Sequence, residues 1–234
     1  MCMDGQSSNN ERYTPLFVCI VAIFTTCLIA SNITAVKIIS VFGLVIPAGV
    51  IIFPMSYIFG DVLTEVYGYH NTRIVIWLGF FCSLVLVTTI WVGQILPAAP
   101  FWDGQAAYER ILGYTPRLLV ASFIAYLVGE FANSFVLAKM KVATNGRFLW
   151  ARTIASTLVG QALDSVVFVL IAFIGTIPIN VLSGIIVTQW LVKSAYEAML
   201  TPLTYRVVNF LKRREGIDVY DRTTRFNPFL ISHS

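Results

Sequence analysis

The sequence predicts an all-α membrane protein of about six transmembrane helices, and three observations lead there. Of 234 residues, 57% are hydrophobic and only 12% charged, against roughly 25% charged in an average soluble domain. The apolar residues fall in runs of about 20, the length needed to cross about 30 Å of hydrocarbon. The runs are joined by short loops, so no stretch is left over for a separate soluble domain. In hydrocarbon a chain must satisfy its own backbone hydrogen bonds, which makes runs this long helices.

The elements follow in order. Residues 1–14 are polar and carry no cleavage signature, so they read as a cytoplasmic segment before a retained helix. That helix is expected over residues 16–36, ending near Lys37. A short turn at Gly43 leads to a second helix over 44–66, interrupted by Pro47 and Pro54. The third, over 74–96, stops at Pro97. The longest loop, 97–116, offers Phe101, Trp102 and Tyr108 for the headgroup level. The fourth helix is expected over 117–138, the fifth over 153–177 and the sixth over 181–210, kinked at Pro202. Residues 15–211 thus make a six-helix transmembrane domain, and 212–234 a charged, partly ordered cytoplasmic tail. Cysteines 2, 19, 27 and 82 lack C-x-x-C spacing, and the last three sit in apolar runs. They read as small buried hydrophobes rather than as disulfides or metal ligands.

Loop charges set the orientation. Arg12, Arg73, Lys139, Lys141, Arg147, Arg152 and Lys212–Arg214 gather on one side. Only Lys37, Arg110 and Arg117 lie on the other. The excess places both termini in the cytoplasm, as for a multi-pass protein of the bacterial inner (plasma) membrane. The basic cluster at Arg213 reads as a topology signal, not as a nucleic-acid site.

Ionisable residues inside the spans are the informative ones. Asp61 and Glu65 share a face of the second helix. Glu130 lies near the middle of the fourth, Asp164 one turn after Gln161 in the fifth, and Lys193 and Glu197 four apart in the sixth. A charge at the bilayer centre costs about 2.5–3.5 kcal/mol on insertion scales, so these side chains are expected to face a polar interior. Gly129-Glu130-x-x-Asn133-Ser134 and Gly160-Gln161-x-x-Asp164-Ser165 repeat one pattern, and Gly60-Asp61 through Glu65 is a looser version. The glycine permits close helix approach, and the polar residues three apart share a face. Two readings stay open: an interhelical hydrogen-bonding seam, or a midplane cavity of amides and carboxylates of the kind that holds solutes in transporters. Lys193 and Glu197 are either a self-neutralising pair or ligands. Asp61 and Glu65, beside Tyr57 and Tyr67, are either hydrated helix-end acids or a gate or proton relay. Ser31, Asn32 and Thr34 line an entrance or simply hydrate a helix end.

Four stretches together resemble the queuosine precursor transporter family, of the vitamin uptake transporter group. They are Phe53-Pro54 through Tyr57, Gly60-Asp61, Thr64-Glu65 and Tyr67-Gly68; Ala125-Tyr126 through Ser134; Ser156-Thr157 through Ser165, with Phe168 following; and Lys193-x-x-Tyr196-Glu197, with Pro202 and Asp218-x-Tyr220-Asp221 after it. The resemblance implies a six-helix fold similar to the substrate-binding subunits of energy-coupling-factor transporters. It also implies import of 7-cyano- or 7-aminomethyl-7-deazaguanine, or queuine. A deazaguanine presents two donors on its N1/N2 edge to a carboxylate and an O6 acceptor to an amide or ammonium. Glu130 or Asp164 suits the first role, and Asn133, Gln161 or Lys193 the second. Phe131, Phe168 or Tyr196 suits stacking, and a second carboxylate suits a substrate amine. The expected partners are this small base and the lipid bilayer, with a homodimer admitted and no cofactor, metal or nucleic acid.

The alternative within transport is a binding subunit of an energy-coupling-factor transporter for another vitamin-like solute. It would need an ATPase partner, since the chain has no G-x-x-x-x-G-K-[ST] loop. An intramembrane enzyme is disfavoured. His70 is placed in a loop and His233 in the tail, so no Ser-His pair forms within the spans.

Overall fold

The computed structural model describes residues 13–41, 44–113, 116–176 and 178–230. Its elements are α1 (Pro15–Thr34), β1 (Ile38–Val41), β2 (Leu44–Pro47), a 3₁₀ turn (Ala48–Ile51), α2 (Phe53–Ile95), α3 (Gln105–Leu112), α4 (Pro116–Ala143), α5 (Leu149–Phe173) and α6 (Ile179–Glu215). Residues 1–12, Gly43 and His233 lie outside the described residues, and with them the expectations placed there.

The 43-residue α2 is two helical arms, not one rod. Gly68 sits at φ 82°, ψ 166°, a backbone region essentially reserved for glycine. Thr64 Oγ1 donates to Thr72 Oγ1 across 3.3 Å, although eight residues of straight helix span about 12 Å. The chain therefore reverses at Gly68, with arms over 53–67 and 69–95. The reversal frees carbonyls, and nearby side chains take them up. Asn71 Nδ2 donates to Tyr67 O and Thr72 Oγ1 to Gly68 O. A Cβ at Gly68 would also stand 2.7 Å from Val219 Cγ1. Gly68→Ala is therefore expected to cost about 1–3 kcal/mol in backbone strain alone, read as a lowered Tm of the detergent-purified protein. An unchanged Tm would show that the reversal does not depend on glycine.

Polarity is inverted relative to a soluble domain. Val85, Trp91, Leu96 and Met199 are exposed, whereas Glu65, Asn133, Gln161 and Arg152 are buried. Apolar outer faces over a polar seam are what a bilayer solvent selects. α1, α2, α5 and the stretch containing α4 are long and apolar enough to cross it. α6 carries the most charges, of which Lys193, Glu197 and Lys212 join the seam described below. The chain is an all-α, multi-pass membrane protein.

Four features differ from the sequence expectation. The segment expected to open the second helix is an antiparallel ribbon, pairing Ile38 with Pro47 and Val41 with Leu44. β-Branched residues on both sides favour strands, and Pro47 blocks entry into a helix. The loop over 97–116 contains the two-turn helix α3, whose Tyr108 meets Trp102 edge-on at 6.4 Å. Cys19 is exposed, and Cys27 and Cys82 are only partly covered, so they face outward from the bundle instead of filling its core. The tail is described as far as residue 230. It folds across the bundle end because that end offers unpaired groups. Val219 N donates to Val66 O, Tyr69 N to Asp221 Oδ2, and Trp77 Nε1 to Pro228 O.

Phe17 packs edge-on against Tyr67, and Tyr205 OH accepts from Trp150 N. The α1 start, the Gly68 reversal, the α4–α5 turn and the α6 end thus share one end of the bundle, termed the basic end below. The ribbon and the start of α6 lie at the other.

Candidate functional site

The ionisable residues form three tiers that advance in the same order along four helices. From the ribbon end to the basic end the order is Tyr57, Asp61, Glu65 on α2 and Tyr126, Glu130, Asn133, Lys141 on α4. On α5 it is Asp164, Gln161, Arg152, and on α6 it is Lys193, Glu197, Lys212. Tyr126 to Lys141 covers about 22 Å of rise.

Glycines let these helices close up. A Cβ at Gly129 would lie 2.5 Å from Tyr57 Oη and 2.9 Å from Asp164 Cβ; one at Gly160 would lie 2.8 Å from Asn133 Cβ. The two related motifs therefore face each other across α4 and α5, and α2 packs Gly60 against the Glu130 carboxylate.

The first tier is a cavity of about 600 Å³, within the usual range of small-ligand sites. Its wall includes Ser31 and Asn32 of α1, Phe53, Tyr126, Phe168 and Gln189. Val181, Gly184 and Thr188, also on the wall, are exposed, so the cavity is not sealed. Asp164 and Lys193 line it and pair with each other, Nζ to Oδ2 2.5 Å. Lys193 Nζ also stands 4.7 Å from the centre of the Phe53 ring. The partner of Lys193 is thus Asp164, not Glu197 four residues on.

The second tier lies behind that wall. Asn133 Nδ2 donates to Asp61 Oδ1 at 2.7 Å, and Gln161 Nε2 to Glu197 Oε1 at 2.6 Å. Each amide spends its donor on a carboxylate. The Asn133 and Gln161 amide oxygens, both Glu130 carboxylate oxygens and the Tyr57 hydroxyl are buried with no hydrogen-bond partner among the described residues. Native interiors leave few such groups, and a cluster of them calls for an explanation.

The third tier closes the basic end around Glu65, which is fully buried. Arg152 meets it in a fork, Nε to Oε2 2.9 Å and Nη2 to Oε1 2.7 Å. Lys212 Nζ donates to Oε1 at 2.6 Å. Lys141 Nζ satisfies its three protons on Glu65 O, Asp218 Oδ1 and Val219 O, at 2.5, 2.5 and 2.6 Å. Partial burial works against the charge of Asp218, but hydrogen bonds from Lys141 and Lys212 hold its carboxyl below the usual range. The tail contact is therefore complete at neutral pH and weakens as acid protonates Asp218.

The structure brings Asp61, Glu130, Asn133, Gln161, Asp164, Lys193 and Glu197 into one seam. Glu65 joins a separate ion cluster. Tyr196 stands apart, its hydroxyl donating to Ile51 O at 3.0 Å. Of the proposed stacking residues, Phe168 lines the cavity, whereas Phe131 packs on Trp77 with ring centroids 6.1 Å apart. Sequence reasoning counted Lys141, Arg152 and Lys212 only as topology signals and missed their role around Glu65. Their common level with Glu65 at the basic end was the available clue. Tyr57 and Tyr126 entered the sequence reading only as neighbours of acids and as part of the resembling stretches, with no place in the seam assigned to them.

An ion-paired basic end, an open cavity and a polar seam between them suit a membrane transport protein. The comparisons agree. Residues 47–207 match the family described as "Putative vitamin uptake transporter", and the chain belongs to that family. It is 29% identical over 189 residues to a "Probable queuosine precursor transporter" of Bacillus subtilis (strain 168), covering 80% of this chain and 82% of the relative. It is 26% identical over 170 residues to the "Queuosine precursor transporter" of Escherichia coli (strain K12), covering 71% and 72%. No solved structure matches the chain.

Proposed function

We propose that this chain is a six-span importer of queuosine precursors in the bacterial inner membrane, with both termini in the cytoplasm. Its substrates are 7-deazaguanine bases, either the 7-cyano or 7-aminomethyl compound or queuine. The names of the relatives support this substrate class. The observation that carries the site is the Asp164–Lys193 pair on the wall of an aromatic-lined cavity. Asp164 accepts the N1/N2 donors of the base, Lys193 donates to O6, and Phe168 stacks on the ring. Asn133, Gln161 and Glu197 support that wall, and Tyr196 ties α6 to the backbone at Ile51. Asp61 and Glu65 lie on the path to the cytoplasm.

Two measurements test this reading. Reporter fusions after Arg73, at Arg147 and at Ser234 should report cytoplasm, and one within residues 103–110 should report periplasm. A cytoplasmic signal from that loop would overturn the topology. Expressed alone in a host unable to make queuosine precursors and lacking partner ATPases, the chain should restore queuosine in tRNA when a deazaguanine base is supplied. Restoration only with an added ATPase would make it a binding subunit instead.

A further inference from the structure

Glu130 is the least explained residue of the seam. It is fully buried, and neither carboxylate oxygen meets a donor among the described residues. It does not reach the cavity, which ends at Tyr126 one turn before it. The groups that face it are Tyr57 and Asp61 from α2, Tyr126 from its own helix, Asp164 from α5 and Glu197 from α6. Among the described residues, four carboxylates (Asp61, Glu130, Asp164 and Glu197) share this region with a single cation, Lys193, and that cation is committed to Asp164. Asp61 and Glu197 each accept from a side-chain amide. Glu130 alone has no such support. An ionised carboxylate without a donor is too costly to bury, and such a group is neutralised. No group of three or more His, Cys, Asp or Glu side chains among the described residues is arranged to hold a metal ion.

We infer that Glu130 is a proton-binding site and that import is coupled to the proton it carries. This rests on the reading of the chain as an importer. The proton enters from the cavity side, passing from a hydronium ion, which becomes water, to a Glu130 carboxylate oxygen. When the third tier opens, that O–H bond breaks and the proton passes to water on the cytoplasmic side. The position suits the role. Glu130 lies between the cavity floor and the Glu65 cluster and contacts the α2 backbone at Gly60, so a change in its charge is felt by α2, α5 and α6 together. With the proton bound the helices close around it; without the proton four acids repel across the seam.

Two readouts test this, one independent of substrate. Infrared spectra of the purified protein in nanodiscs at neutral pH should show the C=O stretch of a protonated carboxylic acid. Glu130→Gln should lose that band, and Asp61→Asn should keep it. In liposomes, addition of a deazaguanine base outside should acidify the lumen of vesicles holding the wild-type protein, and a protonophore should lower accumulation at least tenfold. Absence of the band from the wild type overturns the inference whatever the variants do, as does its persistence in Glu130→Gln or its loss in Asp61→Asn. Base uptake with no accompanying proton overturns it as well. If instead the band is assigned to Glu130 but no base is transported, the substrate reading fails and the proton site stands.

Discussion

Glu65→Gln is expected to destabilise the protein by about 3–5 kcal/mol, the cost of breaking a buried ion pair and stranding its partners. Here the stranded charges are Arg152, fully buried, and Lys141 and Lys212, whose remaining acid partner is Asp218. The loss should appear as a large drop in Tm and aggregation during detergent extraction. A double variant, Glu65→Gln with Arg152→Gln, should recover part of it, because it removes a buried cation together with its counter-charge. The alternative role for Glu65, a gate that titrates or swings, predicts the opposite pattern. Stability would then stay within about 0.5 kcal/mol of wild type, as for an ordinary surface substitution, while uptake changed. That result would remove Glu65 from the structural cluster.

How far the sequence could foresee this differs from element to element. Membrane class and the polar seam were readable because hydrocarbon leaves few options: long apolar runs must be helices, and charges within them must face inward. The repeated Gly129 and Gly160 motifs were readable for a related reason. A small residue followed by polar ones at helical spacing has few uses in a bilayer except close packing of a polar face. Pairing was not readable. Lys193 and Glu197 stand four apart on one helix, and only the packing of α5 against α6 shows that Asp164 competes successfully for the lysine. The ribbon over residues 38–47 escaped because its hydrophobicity matches that of a span; β-branching and Pro47 were the only local signs against a helix. The ordered tail escaped because its partners are backbone groups exposed by the reversal at Gly68, a conformation that no hydropathy pattern records. Lys141 and Arg152 were counted as orientation signals, and positive charge at a helix end does not show whether it points to water or into the bundle.

Asp164→Asn is expected to abolish most uptake while leaving the protein in the membrane at normal levels. The substitution keeps size but turns an acceptor-only group into one that must present a donor to one of the two ring donors of the base. Hydrogen bonds to a charged acceptor contribute about 1.5–3 kcal/mol each, and about 1.4 kcal/mol is tenfold in affinity. Uptake of 7-deazaguanine bases should therefore fall at least tenfold. The paired lysine complicates any single change, since Asp164→Asn also leaves Lys193 without its counter-charge. The double variant Asp164→Asn with Lys193→Met separates the two effects. If the pair only neutralises itself within the bilayer, the double variant removes both charges and should transport better than either single one. If Asp164 and Lys193 contact the base, the double variant should be at least as impaired as Asp164→Asn. Competition supplies the second axis. Guanine shares the N1/N2/O6 edge and should compete weakly with the labelled base, whereas adenine lacks that edge and should not compete. Normal transport by Asp164→Asn, recovery in the double variant, or equal competition by adenine would each show that the pair does not read the base edge. The Asp164–Lys193 bridge would then be an interhelical tie between α5 and α6.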